Sequence, residues 1–270
     1  MYKRQIFKQP SGLSAEAENR THLGKSYYEN LAQGKGQDFV DVYIHGKYGY
    51  VQEGKPVYPE YNDTLHCMEY DVPRLPVYRG WDFGLTPACI LTTVTPTGQW
   101  LVFDEILATE MGIERFVEQV DHYMARTWPN MKVDMDVIDP SGMDRKDTDE
   151  RTCALYMQDA GLSPIPGKQA PEARLSAVRG RLTSLIDGKP AVRLHPRCKM
   201  LRKGFMGKYE YRRMHVSHDR YTDKPDKNDY SHPHDALQYV ATKLFGRLQS
   251  LQNRQPTRIV GGVRTGSARR

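Results

Sequence analysis

The chain has 270 residues, with 39 lysines and arginines against 33 acidic residues, a net charge of +6, a pI near 9.0 and a mean hydropathy of −0.70. That length allows one large domain with an appendage or two small ones. No apolar run approaches the roughly 18 residues of a membrane span, and Met1-Tyr2-Lys3-Arg4-Gln5 begins no secretory signal, so a soluble protein is expected.

Cys67, Cys89, Cys153 and Cys198 form no Cys-x-x-Cys pair, which argues against structural zinc and against a disulfide framework. Residues 1–72 carry no clear core pattern. Glycine, proline, tyrosine and charged residues dominate, as in Gly34-Lys35-Gly36-Gln37 and Gly46-Lys47-Tyr48-Gly49-Tyr50. A helix end at Glu29 to Leu31 and a short strand at Asp41-Val42-Tyr43-Ile44 are expected in what otherwise reads as a connecting segment that packs on something else. Gly24-Lys25-Ser26 has the end of a phosphate-binding loop, but Asn19 stands at the first glycine position and no apolar strand precedes it, so no nucleotide site is expected.

From residue 76 the pattern sharpens. Pro76-Val77-Tyr78-Arg79-Gly80-Trp81 predicts a strand ending at Asp82, and the β-branched run at 88–94 predicts a second. After the turn chemistry of Pro96-Thr97-Gly98, residues 99–106 give a third, completing an antiparallel meander. Ile113, Phe116, Val117, Val120 and Tyr123 then fall at helical spacing through Thr127. Residues 131–138 return to strand, expected parallel to the first. Helices are predicted over 149–160, stopped by Gly161, and over 171–186, stopped by Asp187-Gly188. A short strand at 191–194, a hairpin or arm at 208–216 and a helix at 234–245 follow. Residues 249–270 read as a mobile basic tail. This order matches an α/β, ribonuclease H-like domain over 73–248: a central mixed sheet, antiparallel meander plus parallel strands, flanked by helices.

Among 33 acidic residues, position must single out a site. Asp82 stands where an apolar strand meets Gly84, where a ligand has room to approach. Asp139 closes a strand whose Val133, Met135 and Val137 share its parity. Asp235 opens an apolar helix. Each has an ordinary reading as well: an Asx-turn before Gly84, a cap or turn before Pro140-Ser141-Gly142, and a first-turn acid favoured by the helix dipole. Asp136, on the other parity with Asp134, is the runner-up ligand, and Glu105 is an outside candidate that reads better as a surface pair. His232 and His234 flank Asp235, and His232 is the one to join a metal shell or orient Asp235. Three carboxylates in one cleft repel unless cations neutralise them. Mg²⁺ takes hard oxygen ligands of this kind, and two such ions support phosphodiester hydrolysis. No Gly-x-Ser-x-Gly elbow marks a serine hydrolase. Basic residues cluster at Lys168, Arg174, Arg179 and Arg181, at Arg197, Lys199, Arg202, Lys203 and Lys208, and at Arg212 and Arg213. Their ordinary reading is a solvated face; their functional one is a track for a nucleic-acid backbone.

Three stretches in this order carry a resemblance: Gly80-Trp81-Asp82-Phe83-Gly84, then Asp139-Pro140-Ser141-Gly142 with Thr148-Asp149-Glu150-Arg151-Thr152, then His232-Pro233-His234-Asp235-Ala236-Leu237-Gln238-Tyr239. The chain resembles the nuclease domain of large terminase subunits, the DNA-packaging motors of tailed bacteriophages. Pro10-Ser11-Gly12-Leu13-Ser14 through Ala17-Glu18-Asn19 looks like the piece joining the family's ATPase to its nuclease, so the likeness covers residues 10–246. It implies a metal-dependent endonuclease that cuts concatemeric double-stranded viral DNA during packaging. Asp82, Asp139 and Asp235 would ligate two Mg²⁺ or Mn²⁺ ions, with His232 approaching a metal. Lys168, Arg174, Arg179, Arg181, Arg202, Lys203, Lys208, Arg212 and Arg213 would hold DNA. The implied partners are double-stranded DNA, the family's ATPase domain, the small terminase subunit and the portal protein, with no membrane. The implied setting is the host cytoplasm, transiently docked on the procapsid. The ATPase's phosphate-binding loop is missing here, so no ATP hydrolysis is expected of this chain. The alternatives are a Holliday-junction resolvase-like nuclease and a non-catalytic DNA-binding or docking module. A transposase usually places a glutamate where Asp235 stands.

Overall fold

The structure, a computed structural model, describes residues 10–17, 22–23, 26–32, 40–46, 54–84, 86–143, 151–213 and 221–252. Gly34 to Gln37, Lys47 to Tyr50, Gly24-Lys25, Thr148-Asp149-Glu150 and the tail beyond residue 252 lie outside the described residues.

Val77–Asp82 (β1), Ala88–Val94 (β2) and Trp100–Leu107 (β3) form the expected antiparallel meander. Val133–Ile138 (β4) joins β1 in parallel, Pro164–Pro166 (β5) joins β4 in parallel, and Val192–Leu194 (β6) joins β3 in parallel. The sheet order is β5-β4-β1-β2-β3-β6. Ile113–Thr127 (α1), Cys153–Asp159 (α2), Pro171–Leu182 (α3), Lys199–Lys203 (α4) and Ser231–Gln252 (α5) pack around it. A parallel neighbour needs a crossover, and α1 lies in the connection from β3 to β4.

Successive strand side chains point to opposite faces, and here both faces are buried. On one, Ile90, Val102 and Val137 pack with Leu175 and Val178 of α3 and with Ala236, Leu237 and Val240 of α5. On the other, Trp81, Cys89, Leu91 and Ile138 pack with Phe116, Val117 and Val120 of α1 and Met157 of α2. Burial on both faces is why β2 reads as one apolar run rather than as strict alternation.

Several boundaries differ from the sequence-based expectation. The helix expected to reach residue 186 ends at Leu182, because Leu185–Ile186 turns back to pair with Lys189–Pro190. The turn is made by Asp187 and Gly188, at φ of 49° and 72°. The last helix starts at Ser231, three residues earlier than expected, since Pro233 is tolerated in a first turn, where its missing N–H has no helical partner to lose. Strand β5 and helix α4 were not expected, and Val40–Ile44 is a π-helical turn, not a strand. Within 208–216, Glu210–Tyr211 pairs with Lys55–Pro56 and Arg213 bridges to Tyr221; residues 214–216 lie outside the described ones. Residues 54–72 contribute to the core: Val57 and Tyr58 are buried on the α5 side, and Met68 N–H donates to the Leu194 carbonyl at 3.1 Å. Among the described residues no helix is long and apolar enough to cross a membrane.

Helix α5 crosses β1 at Gly80. A Cβ added there would drive into the Ala236 carbonyl, 2.9 Å from its carbon, and meet Val240 Cγ1 at 3.0 Å. Gly84, just past the strand, would present its Cβ to open space. Gly80→Ala is therefore expected to destabilise the fold by about 2–3 kcal/mol, at the upper end of overpacking costs because the obstacle is backbone. Gly84→Ala should stay within about 0.5 kcal/mol of the parent. Urea denaturation of the two variants measures both.

Candidate active site

The sheet brings the first two carboxylates together. Strands β1 and β4 run parallel with Trp81 opposite Ile138, and Asp139 N–H donates to the Trp81 carbonyl at 3.2 Å. Asp82 and Asp139 thus stand side by side at the C-terminal ends of neighbouring strands. Helix α5 brings the third. Its start is fixed by Asn228, whose carbonyl accepts from Ser231 Oγ at 2.7 Å and whose Oδ1 accepts from Tyr230 N–H at 3.0 Å. With α5 seated on Gly80, its first turn carries His232 and Asp235 over the end of β1.

His232 Nδ1 lies 2.9 Å from Asp82 Oδ2. Asp82 and Asp235 are only 6% and 2% exposed. Burial raises the Asp82 carboxyl above the usual carboxylate range, and the charge of Asp235 adds to the rise; the His232 hydrogen bond opposes it. The same hydrogen bond raises the His232 imidazole, against its own burial. Asp235 meets two cations: Lys227 Nζ donates to Oδ2, and Arg174 Nη1 lies 3.6 Å from Oδ1. Tyr239 lies one turn further along α5. Its phenol is raised chiefly by burial, opposed by Arg174, and raised further by the charges of Asp139, Asp235 and Asp82. Arg174 sits over the Tyr239 ring at 4.9 Å. Asp139 also makes the turn that was its ordinary reading, with Oδ1 accepting Ser141 N–H at 2.9 Å.

Other candidates are employed elsewhere. Asp136, the runner-up, points to the α1 face and accepts from Arg79 Nε at 2.6 Å, Arg79 Nη2 at 3.1 Å and Trp81 Nε1 at 2.8 Å. Glu105 is no surface pair: its oxygens accept Met200 and Leu201 N–H at 2.6 and 3.0 Å, capping α4, and burial raises its carboxyl to about 7. His234 turns inward against Tyr209, with ring centroids 4.7 Å apart, and burial pushes it down to about 3. Of the basic residues, Arg174 reaches the acidic cluster. Arg179 donates to the Val57 carbonyl at 3.0 Å, and Arg181 donates to the Gly98 carbonyl at 2.8 Å. Arg202 holds Asp63 through two bonds of 2.8 and 2.6 Å, and Arg212 pairs with Asp226 at 2.8 Å. Lys168, Lys203 and Arg213 are exposed and Lys208 is half-buried. Lys227 was missed by the sequence reading, because no periodicity or motif marks it within the polar stretch Asp226-Lys227-Asn228.

The donor set suits a hard divalent cation: carboxylate oxygens from Asp82, Asp139 and Asp235, with an imidazole from His232. Lys227 and Arg174 now supply positive charge at Asp235. Among the described residues, however, no three histidine, cysteine or acidic groups already close on a single metal position. Lys227 lies on Asp235, one of these candidate carboxylates.

No protein-family model and no curated protein matches the sequence. Among solved structures, the large terminase from a thermophilic bacteriophage matches with a TM-score of 0.56 at 17% identity, covering 83% of this chain and 52% of that one. The P22 large terminase nuclease domain matches with a TM-score of 0.51 at 16% identity, covering 71% of this chain and 92% of that one. The chain spans about half the length of the thermophilic phage's protein, and it has the ribonuclease H-like α/β fold of these nuclease domains.

The strain at Asp82 predicts a stability effect with a definite sign. Because its carboxyl is raised in the folded chain, the native state holds the proton more readily than the unfolded one. The resulting cost is full above the folded value and vanishes below about pH 3.9. Asp82→Asn, measured in EDTA at pH 7, should melt above the parent. The gap should close as the pH falls towards 4. Melting temperatures across that range test this.

Proposed function

We propose that this chain, which carries the fold of a large-terminase nuclease domain, is a metal-dependent DNA endonuclease acting in viral genome packaging. The observation that supports this most is the placement of Asp82 and Asp139 at the adjacent ends of β1 and β4, with the first turn of α5, which carries Asp235, joined to Asp82 through His232 at 2.9 Å. Residues 82, 139 and 235 are widely spaced in sequence, and neighbouring carboxylates repel one another, a cost that bound cations would offset.

Asp82, Asp139, Asp235 and His232 would hold Mg²⁺ or Mn²⁺, two ions on this reading. Bound there, such ions activate water and neutralise charge on the leaving oxygen. The chain's own part is positioning. His232 fixes the Asp82 carboxylate through its 2.9 Å hydrogen bond. Tyr239 and Arg174 pack together beside Asp235, which keeps the guanidinium at the edge of the site, where a phosphate can meet it. Lys168, Lys203, Lys208, Arg212 and Arg213 supply sequence-independent contacts to the DNA backbone, which position a duplex without reading it. Arg179, Arg181 and Arg202, tied to Val57, Gly98 and Asp63, serve the fold in this reading rather than DNA. An ATPase domain, a small terminase subunit and a portal protein complete the proposed machine, at work in the host cytoplasm on a procapsid.

Supercoiled plasmid incubated with Mn²⁺ should be nicked and linearised by the parent, and EDTA should stop it. Asp82→Asn and Asp235→Asn should each lose at least ~100-fold in rate, since even groups that only orient metal ligands cost 10- to 100-fold. Parent-like cutting by either variant removes the assignment. Preference for a four-way junction over linear duplex would favour a resolvase, and metal-independent binding without cutting would favour a docking module. Affinity for duplex DNA should fall at least ~10-fold between 50 and 200 mM salt, as phosphate contacts require.

A further inference from the structure

The two cations at Asp235 are held in different ways. Arg174 is built in: its side chain is 14% exposed and lies over the Tyr239 ring. Lys227 is tethered. Its side chain is 71% exposed, and its ammonium alone reaches Asp235 Oδ2. The backbone on either side of it is fixed. Asp226 N–H donates to the Glu210 carbonyl at 2.8 Å, Asn228 Nδ2 donates to the Lys208 carbonyl at 3.1 Å, and Asn228 N–H donates to Ser231 Oγ at 3.3 Å. The loop therefore presents a long, solvated, flexible arm from a rigid base to the carboxylate most deeply buried in the cluster. An ion pair with one exposed partner is weak and easily exchanged, while the buried carboxylate needs a cation at all times.

We propose that Lys227 is a displaceable counter-ion: it neutralises Asp235 in the metal-free site and gives up that carboxylate when a divalent cation binds. This rests on the reading that Asp82, Asp139 and Asp235 hold the metal. The Asp235 oxygen that Lys227 reaches is one a divalent cation would need, so the two compete for it. It also assigns Lys227 a role distinct from that of Arg174, which its packing keeps beside the site throughout.

The test is a Mn²⁺ titration of the full chain by calorimetry, with free Mn²⁺ followed by electron paramagnetic resonance, and no DNA present. Lys227→Met and Lys227→Gln should bind Mn²⁺ about three- to tenfold tighter than the parent, because the competing cation is gone. Lys227→Arg should stay within about twofold of the parent. In EDTA the Met and Gln variants should melt below the parent, and saturating Mn²⁺ should raise their melting temperatures more than the parent's. Equal or weaker Mn²⁺ binding by both neutral variants overturns the proposal while leaving the nuclease reading intact. So does failure of both to fold even with Mn²⁺, since a displaceable cation is not required by the fold. A parent that binds no Mn²⁺, or one matched by Asp235→Asn, defeats the nuclease reading itself and this inference with it.

Discussion

The structure turns on one contact that has no side chain in it, the seating of α5 on the backbone of Gly80. A methyl group at that position would occupy the Ala236 carbonyl, so the helix reaches the sheet only because residue 80 is glycine. Two more glycines extend the same seam. A Cβ at Gly167 would meet the Tyr239 ring at 2.8 Å, and one at Gly204 would meet the His234 ring at Cδ2, 2.6 Å away. Together they let α5 sink until it is buried along nearly all of residues 231–242. The depth of that seating decides whether His232 reaches Asp82 at all. A helix lifted by the width of one methyl group would carry His232 and Asp235 together away from Asp82. Packing density and site geometry are here the same quantity.

Strand parity then separates two kinds of buried carboxylate. On the α1 face, Asp136 is enclosed by Arg79 and Trp81, and Arg79 also takes Asp121 at 2.9 Å. The buried Asp136 carboxylate has its hydrogen bonds made there, from Arg79 and Trp81, so the cluster serves to close the sheet. On the α5 face, Asp82 and Asp235 act on each other, and the cations nearest them come from outside the sheet, on α3 and on the loop before α5. One cluster is closed between the sheet and α1; the other draws its partners from α3, from α5 and from the loop before it. Strand parity sets that difference of partners, and residue type alone does not reveal it.

The same distinction explains what the sequence could and could not disclose. Strands β1 to β3 and helix α1 announce themselves through local periodicity, and Asp82 and Asp139 through their place at strand ends. Strand β5 is three residues long with a proline at each end, and α4 is one turn whose N-terminus is capped by Glu105 from far along the chain, so neither has a local signal to read. His232 and His234 both flank Asp235, and only His232 is expected at the site. Two residues along a helix turn about 200°, which sends one to Asp82 and the other into the aromatic cluster of Tyr209, Phe205 and Tyr58. The arginines are the hardest case. Arg179, Arg181 and Arg202 carry the same charge as any DNA-facing residue, and their attachments to Val57, Gly98 and Asp63 exist only once distant segments have met.

Residues 54–56, ahead of the sheet in sequence, reach the acidic site through Glu210. Lys55–Pro56 pairs with Glu210–Tyr211, and the Glu210 carboxylate accepts Gly54 N–H at 3.1 Å. The Glu210 carbonyl accepts Asp226 N–H, next to the lysine that reaches Asp235. Glu210 thus holds the leading segment with its side chain and the Lys227 loop with its backbone. The loop's position over α5 is consequently set by a strand pair to which the leading segment contributes half. Residues 54–72, which show no core pattern in sequence, are on this account part of the scaffold that aims a cation at the site: Val57 and Tyr58 anchor the segment in the α5-side core, and two residues of strand carry its register across to the loop.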